Sequence, residues 1–516
     1  MYAIDINTSF GVLPGDSDDH SLATLRHLMD AGGIAAALTL SLRGTRDDHV
    51  AGNRETAAQC AADPRLLAAA TINPLRGIGL DADVAQIAAG GFRALRLDCG
   101  SWGQLWPADS AMVRRVLRAV APLGLPVLAP AGSISQIEAL VRSVADVGLP
   151  LVLLGASYDV LGQVLAAARD YPRLALDTSR LAMPGIIETI RRELGDVTRI
   201  LYGSGAPEYA PQASMNVVFR AELNDAERAA ILHGNAERLL RIAAPPAPVR
   251  PAGERFAAGP IIDCHSHLHA DAYRFPIDAR GVAVALDDCR HYGIEYMIGS
   301  SSVGIFYDMV AGNREMQALI DPVPGFLGYV VVNANDLAGS IAEMDRYYQN
   351  PKFVGAKIHC EYSQQHTGGD AMRALFAEIA RRGRPVKIHN DGPGWVYAIR
   401  DLARAHPQLP IIVAHGGPRG TGAIVADCPN IYLEFCSSRA TRGIIPDALA
   451  AVGPERLMYG SDQDLLHPGF VLGTYHDAGF TAAQEAQVMY HTARTLFALT
   501  PGGGISGSAG TTAGVS

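Results

Sequence analysis

Residues 261–269 read Ile-Ile-Asp-Cys-His-Ser-His-Leu-His, and this stretch sets the interpretation of the whole chain. Two apolar residues lead into a His-x-His pair, as in a buried strand that ends in polar side chains. Residues two apart on a strand face the same side, so His265 and His267 are expected to point together. Two imidazoles held this way suit a divalent metal ion, which takes nitrogen ligands at about 2.0–2.1 Å. The stretch therefore predicts a metal-binding strand end.

The same local pattern runs through all 516 residues. Short apolar runs, such as 36–40 and 67–72, alternate with helical stretches, such as 52–62. Strands alternating with helices predict βα units and a parallel sheet. Each half of the chain is close to the roughly 250 residues typical of a (β/α)8 barrel. We therefore predict an α/β protein of two tandem (β/α)8 TIM-type barrels.

The two halves also share short motifs. Ala-Gly-Asn-Arg-Glu occurs at 51–55 and again at 311–315, and Tyr-Gly-Ser occurs at 202–204 and again at 459–461. Motifs repeated in the same order at matching distances indicate an internal duplication.

The composition of the chain sets the predicted boundaries. A proline-dense run follows the first half and is typical of a semi-rigid linker. A Gly/Ser/Thr/Ala segment ends the chain and is too polar to pack a core. We expect a first barrel over 1–242, a Pro-rich linker over 243–258, a second barrel over 259–500 and a flexible tail over 501–516.

Charge and cysteine content exclude several function classes. The formal net charge is −9 and no Lys/Arg cluster stands out, which argues against nucleic-acid binding. No apolar stretch reaches the roughly 18–20 residues that would span a membrane, and no signal peptide is recognised. Seven scattered cysteines favour free thiols in a reducing compartment. We expect a cytoplasmic protein with a small-molecule substrate and no nucleic-acid or membrane partner.

Four more apolar runs in the second half end in residues that can do chemistry. Their terminal residues are Lys357 with His359, His389, His415 and Asp462. The carboxyl ends of barrel strands converge on one mouth, where active sites are found, so these residues can meet. Two or three histidines and one carboxylate with an open coordination position describe a catalytic zinc site. Manganese or iron fits the same set.

Read in order, the His-x-His pair, lysine, two histidines and aspartate resemble the amidohydrolase superfamily over residues 259–500. The resemblance is to its amidohydrolase-related branch, which contains aminocarboxymuconate semialdehyde decarboxylase, resorcylate decarboxylases and true hydrolases. It implies one Zn²⁺ held by a set of four ligands: His265, His267, His389 and Asp462. It also implies that His415 is the catalytic acid/base. Lys357 stands where some relatives carry a carboxylated lysine that bridges two metal ions. The alternative to a single Zn²⁺ is therefore a site with a second metal bridged by carboxylated Lys357.

The first half lacks these residues at the matching positions. Asn7 and Ser9 replace the His-x-His pair, Arg96 replaces Lys357, and Gly205 replaces Asp462. Pro130 and Gly155 replace the two later histidines, His389 and His415. We interpret the first half as a degenerate, non-catalytic barrel that binds no metal. It is expected to pair with the second barrel as an intramolecular pseudo-dimer, and further homo-oligomers stay open.

Substrate-binding residues are less clearly indicated. His359 either lines the pocket or only faces it. Arg314 is either framework, because its motif also occurs in the first half, or a ligand for a substrate carboxylate. Arg439 is the other candidate for that carboxylate. Glu434 has Asp177 as its counterpart and is interpreted as a structural acid.

These observations leave three functions open. The first choice is hydrolysis of a small amide, lactam or ester by a metal-activated water, with Asp462 accepting the water proton. The alternative is metal-dependent, non-oxidative decarboxylation of an unsaturated or aromatic acid. The third is a catalytically silent binding module.

Overall fold

The computed structural model describes residues 1–98, 107–245, 249–269, 275–278, 281–390 and 392–505. The chain divides into two compact units. The first is Met1–Arg255 with Ser438–Arg442, and the second is Phe256–Ser437 with Gly443–Ser516. Each unit holds one eight-stranded parallel sheet whose strands follow the order of the sequence. The prediction of two tandem (β/α)8 barrels is confirmed.

The first barrel alternates strands and helices as the apolar runs predict. Its strands are β1 (Ala3–Asp5), β2 (Ile34–Thr39), β3 (Leu66–Thr71), β4 (Ala94–Arg96), β5 (Val127–Pro130), β6 (Leu151–Leu154), β7 (Leu174–Asp177) and β8 (Ile200–Leu201). Its helices are α1 (Leu22–Gly32), α2 (Leu42–Arg46), α3 (His49–Ala62), α4 (Leu80–Ala89), α5 (Ala111–Val120), α6 (Ile134–Ala145), α7 (Leu161–Asp170), α8 (Ile186–Leu194), α9 (Pro211–Arg220), α10 (Asp225–Ala229) and α11 (Asn235–Leu240).

The second barrel repeats this order. Its strands are β9 (Ile261–Leu268), β10 (Ile294–Ser301), β11 (Phe326–Val331), β12 (Phe353–Ile358), β13 (Val386–Ile388), β14 (Ile411–Val413), β15 (Ile431–Glu434) and β16 (Leu457–Met458). Its helices are α12 (Val282–Tyr292), α13 (Ser302–Phe306), α14 (Met309–Ile320), α15 (Leu337–Tyr347), α16 (Asp370–Arg382), α17 (Pro393–Ala405), α18 (Thr421–Ile424), α19 (Ile444–Val452), α20 (Pro468–His476), α21 (Ala482–Ala486) and α22 (Thr492–Leu496).

The first and last strands of each ring are joined by matching backbone hydrogen bonds. In the first barrel, Ile6 N–H donates to the Tyr202 carbonyl at 3.0 Å. In the second, Cys264 N–H donates to the Tyr459 carbonyl at 3.0 Å. Equivalent residues therefore close both barrels.

The repeated Ala-Gly-Asn-Arg-Glu motif lies on α3 and α14, where it holds the helix to the barrel. A Cβ on Gly52 would lie 2.3 Å from the Gly44 backbone, and a Cβ on Gly312 would lie 2.1 Å from Gly304 N. Only glycine allows the two helices of each pair to approach this closely. The motif asparagine then bonds the end of the next strand: Asn313 Nδ2 donates to the Val331 carbonyl at 3.0 Å. The motif is framework in both barrels.

The end of the chain departs from the predicted flexible tail. Ile505 N–H donates to the Glu295 carbonyl at 2.8 Å, and Ile505 packs over Gly325. The apolar isoleucine gives this first part of the segment something to bury, whereas residues 506–516 lie outside the described residues.

Two expectations from composition can be compared with the described residues. The six described cysteines are all free thiols, and Cys99 lies outside the described ranges. Over the same ranges, we find no helix that is both long enough and apolar enough to cross a bilayer.

Candidate metal site

The His-x-His pair lies at the carboxyl end of β9. His265 and His267 are both buried, and their ring centroids are 5.2 Å apart. The strand alternation that predicts a shared face is therefore observed.

A carboxylate fixes the orientation of His265. Its Nδ1 lies 2.7 Å from Glu434 Oε1, and its Nε2 accepts from Lys357 Nζ at 3.0 Å. Because the lysine ammonium can only donate, Nε2 carries the lone pair and Nδ1 carries the proton. A histidine whose other nitrogen donates to a carboxylate is the usual arrangement of a metal ligand. Glu434 is thus a positioning residue as well as a framework acid.

Asp462 completes a three-residue set with the two histidines. Its Oδ1 lies 3.1 Å from His267 Nε2 and 3.5 Å from His265 Nε2. Burial raises the pKa of Asp462, but its hydrogen bond with His267 and the nearby positive charges outweigh burial and lower it to about 2. The three side chains present ligand atoms within 4.8 Å of one another.

This set is suited to a divalent cation. Burial and the charge of Lys357 hold the pKa of His265 well below its ordinary value, so the ring is neutral, as a metal ligand must be. The ammonium of Lys357 already lies against the His265 lone pair, so the structure places positive charge there. Burial and repulsion from Lys387 lower the pKa of Lys357 to about 8. Two imidazoles and one carboxylate match the three protein ligands of an open catalytic site.

His389 and His415 form a hydrogen-bonded pair beside this set. His415 Nδ1 donates to the Cys436 carbonyl at 3.0 Å, and His415 Nε2 lies 3.0 Å from His389 Nδ1. The backbone N–H of His415 donates to Glu434 Oε1 at 2.9 Å. One oxygen of Glu434 therefore orients both His265 and His415.

Two of these residues have strained backbones. His415 has φ +63° and Asp462 has φ +64°, both in the left-handed region that disfavours residues with a Cβ. Such strain is concentrated at functional sites.

The predicted ligands are only partly brought together. His265, His267 and Asp462 form one group, whereas His389 is grouped with His359 and Glu361. The His359 and His389 rings stack at 3.7 Å, so His359 lines the mouth. The role of His389 as a fourth ligand stays a prediction.

The roles predicted for Arg314 and Arg439 in binding a substrate carboxylate stay predictions. Arg314 is exposed on α14, where its charge acts on Tyr347. Arg439 lies in Ser438–Arg442, the segment that clusters with the first unit.

Three contributors were missed from the sequence: the positioning role of Glu434, and the contacts of Cys436 and Lys387. Cys436 Sγ lies 3.2 Å from His415 Nδ1, and buried Lys387 Nζ lies 3.7 Å from Glu434 Oε1. The sequence signal that could have found them is position on the strand. Lys387 lies two residues before His389, and Cys436 lies two residues after Glu434.

Different side chains occupy the matching positions of the first barrel. Arg96 Nη1 donates to Asn7 Oδ1 at 3.0 Å, as Lys357 does to His265. Gly155 has φ +68° and lies under the Arg180 side chain. Gly205 has φ +80° and lies against the Tyr209 ring.

A family model described as Amidohydrolase matches residues 12–242 and 262–499, which together are most of the chain. The chain belongs to the amidohydrolase family. Because this amidohydrolase matches the model once in each half, the predicted duplication is supported by both barrels. No curated protein sequence matches it significantly.

Several solved structures resemble part of this amidohydrolase. 2,6-Dihydroxybenzoate decarboxylase from Rhizobium is 16% identical, with a TM-score of 0.38, and the match covers 46% of this chain and 99% of that one. 5-Carboxyvanillate decarboxylase from Novosphingobium aromaticivorans, solved with manganese, is 15% identical, with a TM-score of 0.39, and the match covers 47% and 97%.

Proposed function

We propose that the second barrel is a metal-dependent decarboxylase of planar aromatic or conjugated acids. The observation that carries this proposal is a continuous run of rings from the exposed mouth to His415. Phe306 contacts Tyr362 with centroids 4.4 Å apart, and Tyr362 contacts His359 at 4.4 Å. His359 stacks on His389 at 3.7 Å, and His389 contacts His415 at 4.6 Å. A wall of rings favours a flat, conjugated ligand.

The metal would be held by His265, His267 and Asp462, with Glu434 fixing the first of them. When bound there, a divalent metal supplies positive charge that polarises a substrate oxygen. Zinc, manganese and iron all suit this donor set.

His415 is proposed to supply the proton. As the bond between the ring carbon and the carboxylate breaks, CO₂ leaves and the electron pair stays on the carbon. That pair takes a proton from His415 Nε2, which gives a new C–H bond. Because Nδ1 of His415 donates to the Cys436 carbonyl, the proton on Nε2 is one that His389 Nδ1 passes to it across 3.0 Å. His389 Nδ1 lies 3.0 Å from His415 Nε2 and can return the proton.

The positive charge that would bind the substrate carboxylate before the bond breaks is available within the barrel. Lys357 is fully buried beside His265, and Lys387 is fully buried beside Glu434. We propose that Lys357 takes the part that the two arginines were expected to play.

Hydrolysis is the second candidate. The open three-ligand set favours it, since such sites activate water. However, the pKa of Asp462 is about 2, whereas a general base works best with a pKa near the operating pH. This difference makes Asp462 a weak acceptor for a water proton.

A substrate panel separates the candidates. The metal-loaded chain is incubated with phenolic acids, amides and lactones while released CO₂ and cleaved amide are both measured. We expect CO₂ from phenolic acids and one solvent deuterium at the vacated carbon in ²H₂O. Amide or lactone cleavage without CO₂ would contradict the proposal in favour of hydrolysis. No turnover together with no bound metal would leave the binding module.

A further inference from the structure

The mouth of the first barrel carries two arginines at positions that match the metal site of the second barrel. Arg96 ends β4 and stands at the position of Lys357, and Arg180 lies just beyond the end of β7. The Arg180 side chain covers Gly155, since its Cδ lies 3.3 Å from where a Cβ on that glycine would be. Because Gly155 matches His415, both arginines lie where the second barrel has its reactive groups.

The hydrogen bonds of these two guanidinium groups go to neutral partners. Arg96 Nη1 donates to Asn7 Oδ1 at 3.0 Å. Arg180 Nη2 donates to Ser438 Oγ at 3.2 Å, and Ser438 belongs to the same compact unit as the first barrel. Over the described part of the chain, neither guanidinium group forms an ion pair with an aspartate or glutamate. Both side chains are partly buried, so each positive charge is partly removed from water without a carboxylate to balance it.

The buried acid of this mouth, Asp177, is bound by neutral donors. It accepts from the backbone N–H just after β6 at 2.7 Å, from Ser179 Oγ at 3.0 Å and from Asn7 Nδ2 at 2.8 Å. Burial raises the pKa of Asp177, which weakens it further as a counter-charge. Asn7 is only 6% exposed, and its Nδ2 also lies 3.3 Å from Ser179 Oγ, next to Arg180. One buried amide therefore bonds Arg96 through its oxygen and the Arg180 segment through its nitrogen, so the two arginines lie around one opening.

Another positive charge lies close to Arg180. Burial is the main cause that lowers the pKa of Arg180, and the like charge of Arg439 adds to it. Tyr209 and Asp159 oppose this effect, but Asp159 lies beyond ion-pair distance and its carboxylate accepts from Ser157 Oγ. A guanidinium group nonetheless stays protonated in proteins, so the charge remains and attracts an anion.

We propose that Arg96 and Arg180 form a binding site for a small oxyanion, a carboxylate or a phosphate group, in the mouth of the first barrel. The planar fork of a guanidinium group matches the geometry of both oxyanions and donates two parallel hydrogen bonds to either. This mouth lacks the metal ligands of the second barrel and has positive side chains instead. The site shares no residue with His265, His267 and Asp462, so it does not depend on the proposed decarboxylation.

The test is anion binding by the full-length, metal-loaded protein, measured by isothermal titration calorimetry with benzoate and with inorganic phosphate in separate titrations. We expect the wild-type chain to bind at least one of them. Arg96→Gln and Arg180→Gln should each weaken that binding by about 10- to 100-fold, because each removes charge-assisted hydrogen bonds. The anion whose binding is weakened shows whether the site takes a carboxylate or a phosphate group.

Arg93→Gln is the matched control, because Arg93 is an exposed arginine just before β4, at the other end of that strand. It should bind the anion as tightly as the wild type. Anion binding in the second barrel would respond to Lys357→Met instead, and that variant should leave the first site unchanged. No binding of either anion, or binding that is lost only in Lys357→Met, would overturn the proposal. Unchanged binding in both Arg96→Gln and Arg180→Gln would overturn it as well.

Circular dichroism checks that each variant is folded. Arg96→Lys and Arg180→Lys repeat the test if a glutamine variant is not, because lysine keeps the charge but loses the planar fork. They should bind the anion less tightly than the wild type, and equal binding would contradict the site. Because the readout is anion binding in the first barrel, failure of the proposed decarboxylation leaves this result unaffected.

Discussion

The two barrel mouths share a framework but differ in chemistry. In the first, the Gly155 backbone donates to Asp177 Oδ1 at 2.7 Å; in the second, the His415 backbone donates to Glu434 Oε1 at 2.9 Å. The acid and the left-handed backbone are present in both. Only the side chains placed on that backbone differ, with glycine in one barrel and histidine in the other. Architecture and reactivity are therefore carried by separate residues, so one can be lost without the other.

The comparison is tested most severely by removing equivalent residues at the end of the first strand of each barrel. His265→Ala should lower activity by about a thousandfold or more and reduce the bound metal, because metal catalysis supplies several kcal/mol. Asn7→Ala should keep the activity and the amount of bound metal within about twofold of the wild-type values. Steady-state rates and metal analysis check this, and circular dichroism confirms folding. Equal losses in the two variants would mean that the first barrel also takes part in the chemistry.

The matched buried aspartates sharpen the comparison through pH. Burial raises the pKa of both Asp5 and Asp263 to about 7. The folded state therefore holds a proton that the unfolded state releases near pH 4. Each residue's stabilising contribution is full below pH 4 and is lost as the pH rises towards 7, by up to about 4 kcal/mol.

The Asp5→Asn and Asp263→Asn variants should lack that loss, so their stability relative to wild type rises between pH 4 and 7. Urea unfolding at several pH values measures the free energy of unfolding of each variant and of the wild type. A pH dependence equal to wild type in either variant would show that the aspartate concerned does not titrate in this range.

Asp177 and Glu434 are the corresponding acids of the two barrels, but only Glu434 should affect the affinity for metal. Glu434→Gln removes the charge that orients His265 and should weaken metal affinity by about 10- to 100-fold. Asp177→Asn changes the corresponding acid and should leave metal affinity unchanged. Competition with a zinc-sensitive dye measures both. Weaker binding in Asp177→Asn would contradict the separation of the two mouths.

The smallest expected effect concerns the glycine that replaces His415. Gly155→Ala places a Cβ at φ +68° and should destabilise the first barrel by about 1–2 kcal/mol. Gly162→Ala, within α7 and with open space around it, should stabilise it by about 0.5–1 kcal/mol. Thermal unfolding of the two variants measures the difference. A neutral Gly155→Ala would show that the left-handed backbone costs nothing there.

The fold could be predicted because hydrophobic periodicity and repeated motifs reflect backbone geometry directly. Convergence of His265, His267 and Asp462 followed from the rule that strand ends meet at one mouth. The contact of Glu434 with two histidines could not be predicted, since it depends on side-chain rotamers that periodicity does not encode. The same holds for His389, whose Nδ1 lies 3.0 Å from His415 Nε2.

The close glycine contacts between α2 and α3 and between α13 and α14 have a consequence for how such chains evolve. Because any larger side chain would force the helices apart, these positions tolerate far less drift than the mouth does. A decayed barrel can then lose every catalytic group and still keep this small-residue signature. Searching genomes for the paired glycines beside an asparagine would reveal other silent copies that active-site motifs overlook.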